Sequence, residues 1–317
     1  MKQILSTIVL ITCLAVACCS CQKSLQPHPA CNALYYWKTT FALGDEEKEF
    51  LDQHQVNKLY VRLFDVALER DPKTHKNEIV PIATTKFKSG IPDSVEIVPV
   101  VYVTYEALME MYNDTEHYAT LIVERALAMC AHNQCATIKE LQIDCDWTSY
   151  SKDRYVSLCQ KALEQLHKRD VELSITVRLH QLGEEMPPAD KGVLMLYNTG
   201  SFKSIETKNS ILDIEDVKPY LKDATCQLPL SYAYPVFGWG LLFEGDRFSG
   251  IVPEGHEPAL PNEQVRNERP TADQILEVKE AVEAQLGKPQ AGNILYHLDF
   301  SQLKHYTPYE VDQILAY

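Results

Sequence analysis

Two aspartates, Asp144 and Asp146, stand two residues apart in the segment 140–148, whose sequence is ELQIDCDWT. In an extended strand, side chains at positions i and i+2 lie on the same face, about 7 Å apart. Both carboxylates therefore point the same way, next to Trp147. Barrel enzymes carry their chemistry at the carboxyl ends of the strands, and paired carboxylates act on glycosidic bonds. The segment predicts a carbohydrate site at the end of a strand.

Two further strand-like segments alternate in a way that turns polar side chains toward the same interior. The polar face of the segment 172–180 carries Ser174, Thr176, Arg178 and His180, and that of 58–64 carries Tyr60, Arg62 and Phe64. A barrel interior is normally filled by branched aliphatic residues, and a buried charge is costly unless it is paired.

These buried charges allow two interpretations. The first is an internal salt-bridge network, in which Arg62 or Arg178 pairs with Asp144. The second is a binding or catalytic role, which we favour for Asp146 and His180 because they lie nearer the strand ends.

The order of elements predicts an α/β fold, a single (β/α)8 TIM barrel over residues 33–317, because strand-like runs alternate with helical stretches. The predicted strands cover residues 34–37, 58–64, 96–103, 140–146, 172–177, 193–197, 227–232 and 294–298. The predicted helices cover residues 45–54, 115–131, 152–169 and 272–286, and a closing helix opens at Thr307-Pro308. After the seventh strand, 237–243 and 248–252 flank Gly245-Asp246 and predict a hairpin insertion followed by a loop.

Composition restricts the classes of partner. The chain has 317 residues and a net charge of −14, which excludes nucleic acid and anionic membrane surfaces as partners because both require basic patches. We find no internal repeat and no second domain, and we expect a monomer. No cofactor is predicted.

The first residues predict export. Lys2 precedes an apolar run at 4–17, which is too short for a permanent membrane span, and small residues and cysteines follow. This region resembles a bacterial lipobox, with Cys18 as the preferred acylated residue and Cys21 as the second choice. The resemblance implies a signal peptide over 1–21, a tether over 22–32 and a lipid anchor in the cell envelope, on its periplasmic or surface face. Secretion with simple cleavage is the alternative.

The remaining cysteines show no metal-binding spacing. Cys145 and Cys159 fall on apolar faces and are expected in the core, whereas Cys130 and Cys135 can pair across a helix end. Metal-assisted hydrolysis is the least favoured alternative, because its ligands would be scattered acids and histidines with no recognised pattern. Those candidates are Asp144, Asp146, His180 and His297.

The aspartate segment resembles the motif of the family 18 glycoside hydrolases, the chitinase family, which reads Asp-x-x-Asp-x-Asp-x-Glu. The motif falls on Leu141, Asp144, Asp146 and Thr148, so the two middle acids match while the first aspartate and the final glutamate are missing. Residues 195–198 resemble the family's Met-x-Tyr-Asp strand with Asn198 in place of the aspartate, and 228–232 resembles a later strand. Tyr296 and His297 stand where a tryptophan is usual. Nearly the whole mature chain also resembles a group of uncharacterised bacterial secreted lipoproteins.

The chitinase resemblance implies a site for a glycan. Asp146 would orient the substrate or attack it, with Asp144 and His180 as further catalytic candidates. The expected substrate-binding residues are Trp37, Arg62, Trp147, Arg178, Tyr197, Asn198 and Tyr232.

Thr148 cannot protonate a leaving group, so a general acid would have to come from His180, Asp65 or Glu106. We expect glycoside-hydrolase-like processing with an atypical site, and the alternative is a non-catalytic glycan-binding lipoprotein.

Overall fold

A computed structural model describes residues 32–317, in which eight parallel strands close into a barrel. The barrel strands are β1 (Asn32–Tyr36), β2 (Val56–Arg70), β3 (Glu96–Val103), β4 (Glu140–Asp144), β5 (Glu172–Arg178), β6 (Lys191–Met195), β7 (Leu230–Pro235) and β8 (Asn293–Tyr296). Each strand pairs in parallel with the next one, and β8 pairs with β1 to close the ring. The predicted (β/α)8 barrel is confirmed. The predicted signal peptide, with Cys18, lies outside the described residues, as does all of the tether except Asn32.

Helices surround the barrel between the strands. They are α1 (Asp45–Gln53), α2 (Tyr105–Glu110), α3 (Thr115–His132), α4 (Lys152–His167), α5 (Ile214–Leu221), α6 (Ala272–Leu286), α7 (Phe300–Leu303) and α8 (Pro308–Leu315), with 3-10 turns at Met111–Asp114 and Leu179–Gln181. Side-chain caps fix the starts of α6 and α8, where Thr271 and Thr307 accept hydrogen bonds from backbone amides of the first turn. Within residues 32–317, no helix is long and apolar enough to cross a membrane.

The barrel strands separate two apolar regions. The larger one lies between the strands and the helices, and it includes Cys145 and Cys159, as predicted. The smaller one fills the barrel interior with a few aliphatic and aromatic side chains, among them Tyr35, Tyr60 and Met195. The alternation of strand side chains decides which region each residue joins.

A buried acid closes the amino-terminal end of the interior. Glu140 is 1% exposed and accepts hydrogen bonds from Lys58 at 3.3 Å, from Lys191 at 3.2 Å and from the Tyr60 hydroxyl at 3.1 Å. Three donors satisfy the carboxylate, which is what burying a charge requires. This cluster was not predicted, because the internal salt bridges expected from strand alternation joined Arg62 or Arg178 to Asp144.

A bulge in β2 reverses part of the predicted pattern. Arg62 pairs with Val100 and Phe64 with Val101, so one extra residue lies between them. An extra residue exchanges the two faces of the strand beyond it. Phe64 therefore joins the outer region, which corrects the expectation that it points inward, and Asp65 turns toward the interior.

The insertion after β7 is a three-stranded antiparallel sheet of Trp239–Glu244, Arg247–Val252 and Glu263–Glu268. Its first two strands form the predicted hairpin, whereas the third lies in the segment expected to be a loop. Glu268 is 2% exposed and accepts hydrogen bonds from the Ser210 amide and hydroxyl, the Trp239 indole and Arg266. These bonds fix the insertion to the loop that follows β6.

Candidate functional site

A cleft of about 580 Å³ opens at the carboxyl ends of the barrel strands. This is the end at which barrel proteins carry their sites. The sequence-predicted residues that line it are Trp37, Arg62, Asp144, Asp146, Arg178, His180, Tyr197 and Asn198. The structure therefore brings together residues from five different strands or the loops that follow them.

Arg178 is the centre of the hydrogen bonding in this cleft. Its Nε donates to Asp146 Oδ1 at 2.6 Å, its Nη2 to Asp144 Oδ1 at 3.3 Å and its Nη1 to the Tyr197 hydroxyl at 3.3 Å. Thr176, on the same strand, donates its hydroxyl to Asp144 Oδ1 at 2.6 Å. The predicted pairing of Arg178 with Asp144 is present, and Arg178 also holds Asp146 and Tyr197.

The two aspartates differ in their access to water. The side chain of Asp144 is 4% exposed and that of Asp146 is 56% exposed. Burial raises the pKa of Asp144, the Arg178 cation lowers it, and the neighbouring Asp146 raises it again, so that the pKa lies above its ordinary value. Asp144 is thus the floor of the cleft, and Asp146 is at its opening.

A second arginine–aspartate pair also lines the cleft. Arg62 Nε donates to Asp65 Oδ1 at 2.7 Å, and Arg62 Nη2 bonds the other oxygen, so that the pair is bidentate. The Arg62 guanidinium carbon lies 5.5 Å from the Trp37 ring centroid, within the range of a cation–π contact. The hydrogen bond to Asp65 raises the pKa of Arg62. The β2 bulge makes this pair possible.

Aromatic rings form one wall of the cleft. The ring of Tyr296 lies 4.6 Å from that of Tyr197 and 5.8 Å from that of Trp37, measured between centroids. Phe237 extends the group, 5.9 Å from Tyr296. Tyr296 was not among the predicted site residues, although it occupies the position where the motif comparison expects an aromatic ring.

Trp147 and Tyr232 lie elsewhere, which corrects the expectation that they contact the ligand. Trp147 is 2% exposed in the outer region, where it stacks on Tyr155 at 6.4 Å. Tyr232 faces the helices, and its hydroxyl donates to the Gly287 carbonyl at 2.8 Å. The cause is the alternation of side chains along a strand. Trp147 follows the inward-facing Asp146, and Tyr232 precedes the inward-facing Ala233, so both rings point outward.

Thr148 occupies the position of the missing motif glutamate. Thr148 lines the cleft, is exposed, and has its backbone amide bonded to the Ser151 hydroxyl at 3.0 Å. Of the proposed substitute acids, Asp65 and His180 line the cleft, whereas Glu106 is exposed outside it. Among residues 32–317, no group of three or more acids, histidines and cysteines is arranged to hold a metal ion.

Comparison with known proteins identifies relatives by fold only. No family model matches the chain, and no curated protein matches it either. A solved chitinase from Chromobacterium violaceum superposes with a TM-score of 0.58 at 13% identity, over 91% of this chain and 99% of the chitinase. The spore cortex-lytic enzyme SleL of Bacillus megaterium gives 0.55 at 10% identity, over 90% and 73%. The family 18 chitinase of Cycas revoluta with bound (GlcNAc)3 gives 0.51 at 12% identity, over 90% and 99%.

These similarities confirm a distant chitinase-like resemblance and a glycoside-hydrolase-like fold. At this level of identity they establish the fold alone, because one fold supports many activities. The chemistry must therefore be argued from the cleft itself. The resemblance to uncharacterised lipoproteins stays a prediction.

Proposed function

We propose that the cleft binds a glycan and does not hydrolyse it, in an exported protein anchored by lipid at Cys18. The observation that carries this proposal is that each carboxylate lining the cleft, within the described residues, is paired with an arginine. Asp65 is paired with Arg62, and Asp144 and Asp146 share Arg178.

Hydrolysis of a glycosidic bond needs an acid that reaches the leaving oxygen and a second carboxylate that stabilises the sugar cation or activates water. The chitinase-like motif would supply the acid at position 148, where this chain has a threonine. Asp65 and Asp146 already accept hydrogen bonds from arginines, and Asp144 is buried beneath them. The carboxylates are therefore placed to hold the arginines and Tyr197 in fixed positions, and not to act on a glycosidic bond.

Fixed donors beside an aromatic wall suit a sugar. The apolar face of a pyranose packs on aromatic rings, and its hydroxyl groups exchange hydrogen bonds with charged side chains. Trp37 and Tyr296 offer the rings. Arg62 lies over Trp37, and Arg178 lies over Tyr197, which stacks on Tyr296. A preorganised site of this kind binds without a further loss of side-chain freedom.

Hydrolysis is the second candidate, and the raised pKa of Asp144 favours it. A carboxyl group with a raised pKa retains its proton closer to neutral pH and can act as a general acid. An acid–base pair would give a bell-shaped dependence of sugar release on pH, whereas binding alone releases no product.

The proposal is tested by a glycan-array screen with the chain from residue 30 onward, followed by titration calorimetry. N-acetylglucosamine oligomers are the first probe, because the matched Cycas revoluta chitinase holds one. Trp37→Ala removes a ring from the wall and is expected to weaken binding by about tenfold or more.

The matched control is Tyr309→Ala, which removes an exposed ring on α8, outside the cleft. We expect it to bind as the wild type does. Wild-type protein that binds no glycan on a broad array, or Trp37→Ala that binds as tightly as the wild type, would contradict the proposal.

A further inference from the structure

Two exposed tyrosines flank an arginine beside the cleft. Tyr150 is 71% exposed and Tyr112 is 57% exposed. The guanidinium carbon of Arg154 lies 4.9 Å from the ring centroid of Tyr112 and 6.0 Å from that of Tyr150. Both distances are within the range of cation–π contacts, so the arginine holds the two rings together. We call Tyr112, Arg154 and Tyr150 the tyrosine platform.

The platform presents apolar ring faces. Tyr150 and Tyr112 each keep more than half of their surface exposed, and Arg154 contacts both rings. Exposed aromatic rings that a neighbouring side chain holds in place form a surface that suits a ligand with apolar faces.

The platform lies close to the cleft. Tyr150 follows Thr148, which lines the cleft, by two residues, and two residues of chain span at most about 7 Å. The turn between them is fixed, because the Ser151 amide donates to the Thr148 carbonyl at 3.0 Å and the Ser151 hydroxyl accepts from the Thr148 amide at 3.0 Å.

Tyr112 approaches from the neighbouring strand. It lies in the Met111–Asp114 turn, which follows α2 and, before it, β3. Tyr102, near the carboxyl end of β3, lines the cleft. The platform therefore joins the loops after β3 and β4, on the side of the cleft where Asp146 lies.

We propose that the tyrosine platform is a second carbohydrate-binding surface, which holds a further part of a glycan whose first part occupies the cleft. The inference rests on the proposed function and makes it narrower, because the ligand is then an extended glycan chain and not a single sugar. The tyrosine rings pack against sugar faces, and Arg154 holds the two rings in place. Closeness to the cleft favours the glycan over a separate protein partner.

The test measures affinity against chain length, with N-acetylglucosamine oligomers of increasing length as the probes. Wild-type affinity is expected to rise as the oligomer becomes long enough to extend beyond the cleft. Tyr150→Ala and Tyr112→Ala are each expected to lower the ratio of long-oligomer to short-oligomer affinity by about tenfold. Tyr150→Phe keeps the ring and is expected to preserve the ratio.

Tyr309→Ala is the control, because Tyr309 is 69% exposed and thus matches the exposure of Tyr150. Thermal unfolding of each variant establishes that the fold is retained. Binding that does not depend on length, or a ratio unchanged in both alanine variants, overturns the inference and leaves the proposed function standing. A wild-type protein that binds no oligomer of any length overturns both.

Discussion

Replacing Arg178 with leucine tests whether Asp144 is held as a buried anion. Arg178 bonds both aspartates, but the side chain of Asp144 is 4% exposed whereas that of Asp146 is 56% exposed. Removing one partner of a buried ion pair costs about 3–5 kcal/mol, and an exposed pair contributes about 0–1 kcal/mol. We therefore expect Arg178→Leu to lower the free energy of unfolding at pH 7 by about 3–5 kcal/mol. Asp146→Asn is expected to lower it by less than about 1 kcal/mol.

The pH dependence of this variant has a definite sign. Burial already raises the pKa of Asp144, and Arg178 partly offsets that effect. Without the cation, the folded-state pKa rises further above the unfolded value of about 3.9. A carboxyl with a raised folded-state pKa binds its proton more tightly in the folded protein, so stability increases as the pH falls toward the unfolded value. Relative to the wild type, Arg178→Leu should recover part of its lost stability on acidification.

The assay is urea unfolding of the wild type, Arg178→Leu, Asp144→Asn and the double variant at pH 7 and pH 5. Asparagine carries no charge, so the double variant is expected to recover most of the stability that Arg178→Leu loses at pH 7. A double variant no more stable than Arg178→Leu would refute the reasoning. The cost would then come from lost packing against Tyr197, which lies 5.6 Å from the guanidinium carbon, and not from a stranded charge.

Three other results are expected. Burial lowers the pKa of His297 from 6.5 to about 4, so the unfolded chain takes up the proton first and stability falls by about 3 kcal/mol as the pH drops from 6.5 to 4. Urea unfolding at several pH values should show that the stability of His297→Asn depends less steeply on pH than that of the wild type. An unchanged dependence on pH would argue against a buried, neutral His297. Cys135 donates its backbone amide to the Cys130 carbonyl at 3.0 Å, and both thiols are free. Oxidised glutathione should therefore link them, with two thiols lost in an Ellman titration and a cross-linked peptide found by mass spectrometry, whereas retention of both thiols would exclude the pairing. Thr148→Glu places a carboxyl group at the motif position but leaves Asp144 and Asp146 paired with Arg178, so the variant should still release no sugar. Sugar release by Thr148→Glu would contradict the reasoning that this pairing prevents hydrolysis.

Strand alternation was enough to find every charged residue of the site that pairs with Arg178, and also Arg62. Arg62, Asp144 and Arg178 stand at inward-facing positions of their strands, and Asp146 continues the alternation just beyond the end of β4. The period of two is a local property of the sequence. The same rule also places Trp147 outward, beside Asp146. We expected Trp147 to stack on a sugar because it is a tryptophan, although its position in the alternation points it outward. In the structure it lies in the outer apolar region, as alternation requires.

Other features of the structure could not be predicted from the local sequence. The bulge that turns Asp65 inward is one extra residue in a mainly apolar segment. The sequence of such a segment has the same pattern whether or not the strand contains a bulge. The third strand of the insertion, Glu263–Glu268, is mostly polar, and it forms because it pairs with Trp239–Glu244. Tertiary pairing overrides local preference in such segments.

The most direct test of the central claim is the mass of a glycan recovered from the complex. The experiment uses an N-acetylglucosamine oligomer that the wild-type protein binds. The oligomer is incubated with excess protein at several pH values and released by denaturation, and its mass is measured by mass spectrometry. Proposed binding without hydrolysis predicts an intact oligomer at every pH. Shortened products that appear with the wild type and disappear with Asp144→Asn would contradict the claim, and would identify this protein as a hydrolase that uses its buried aspartate.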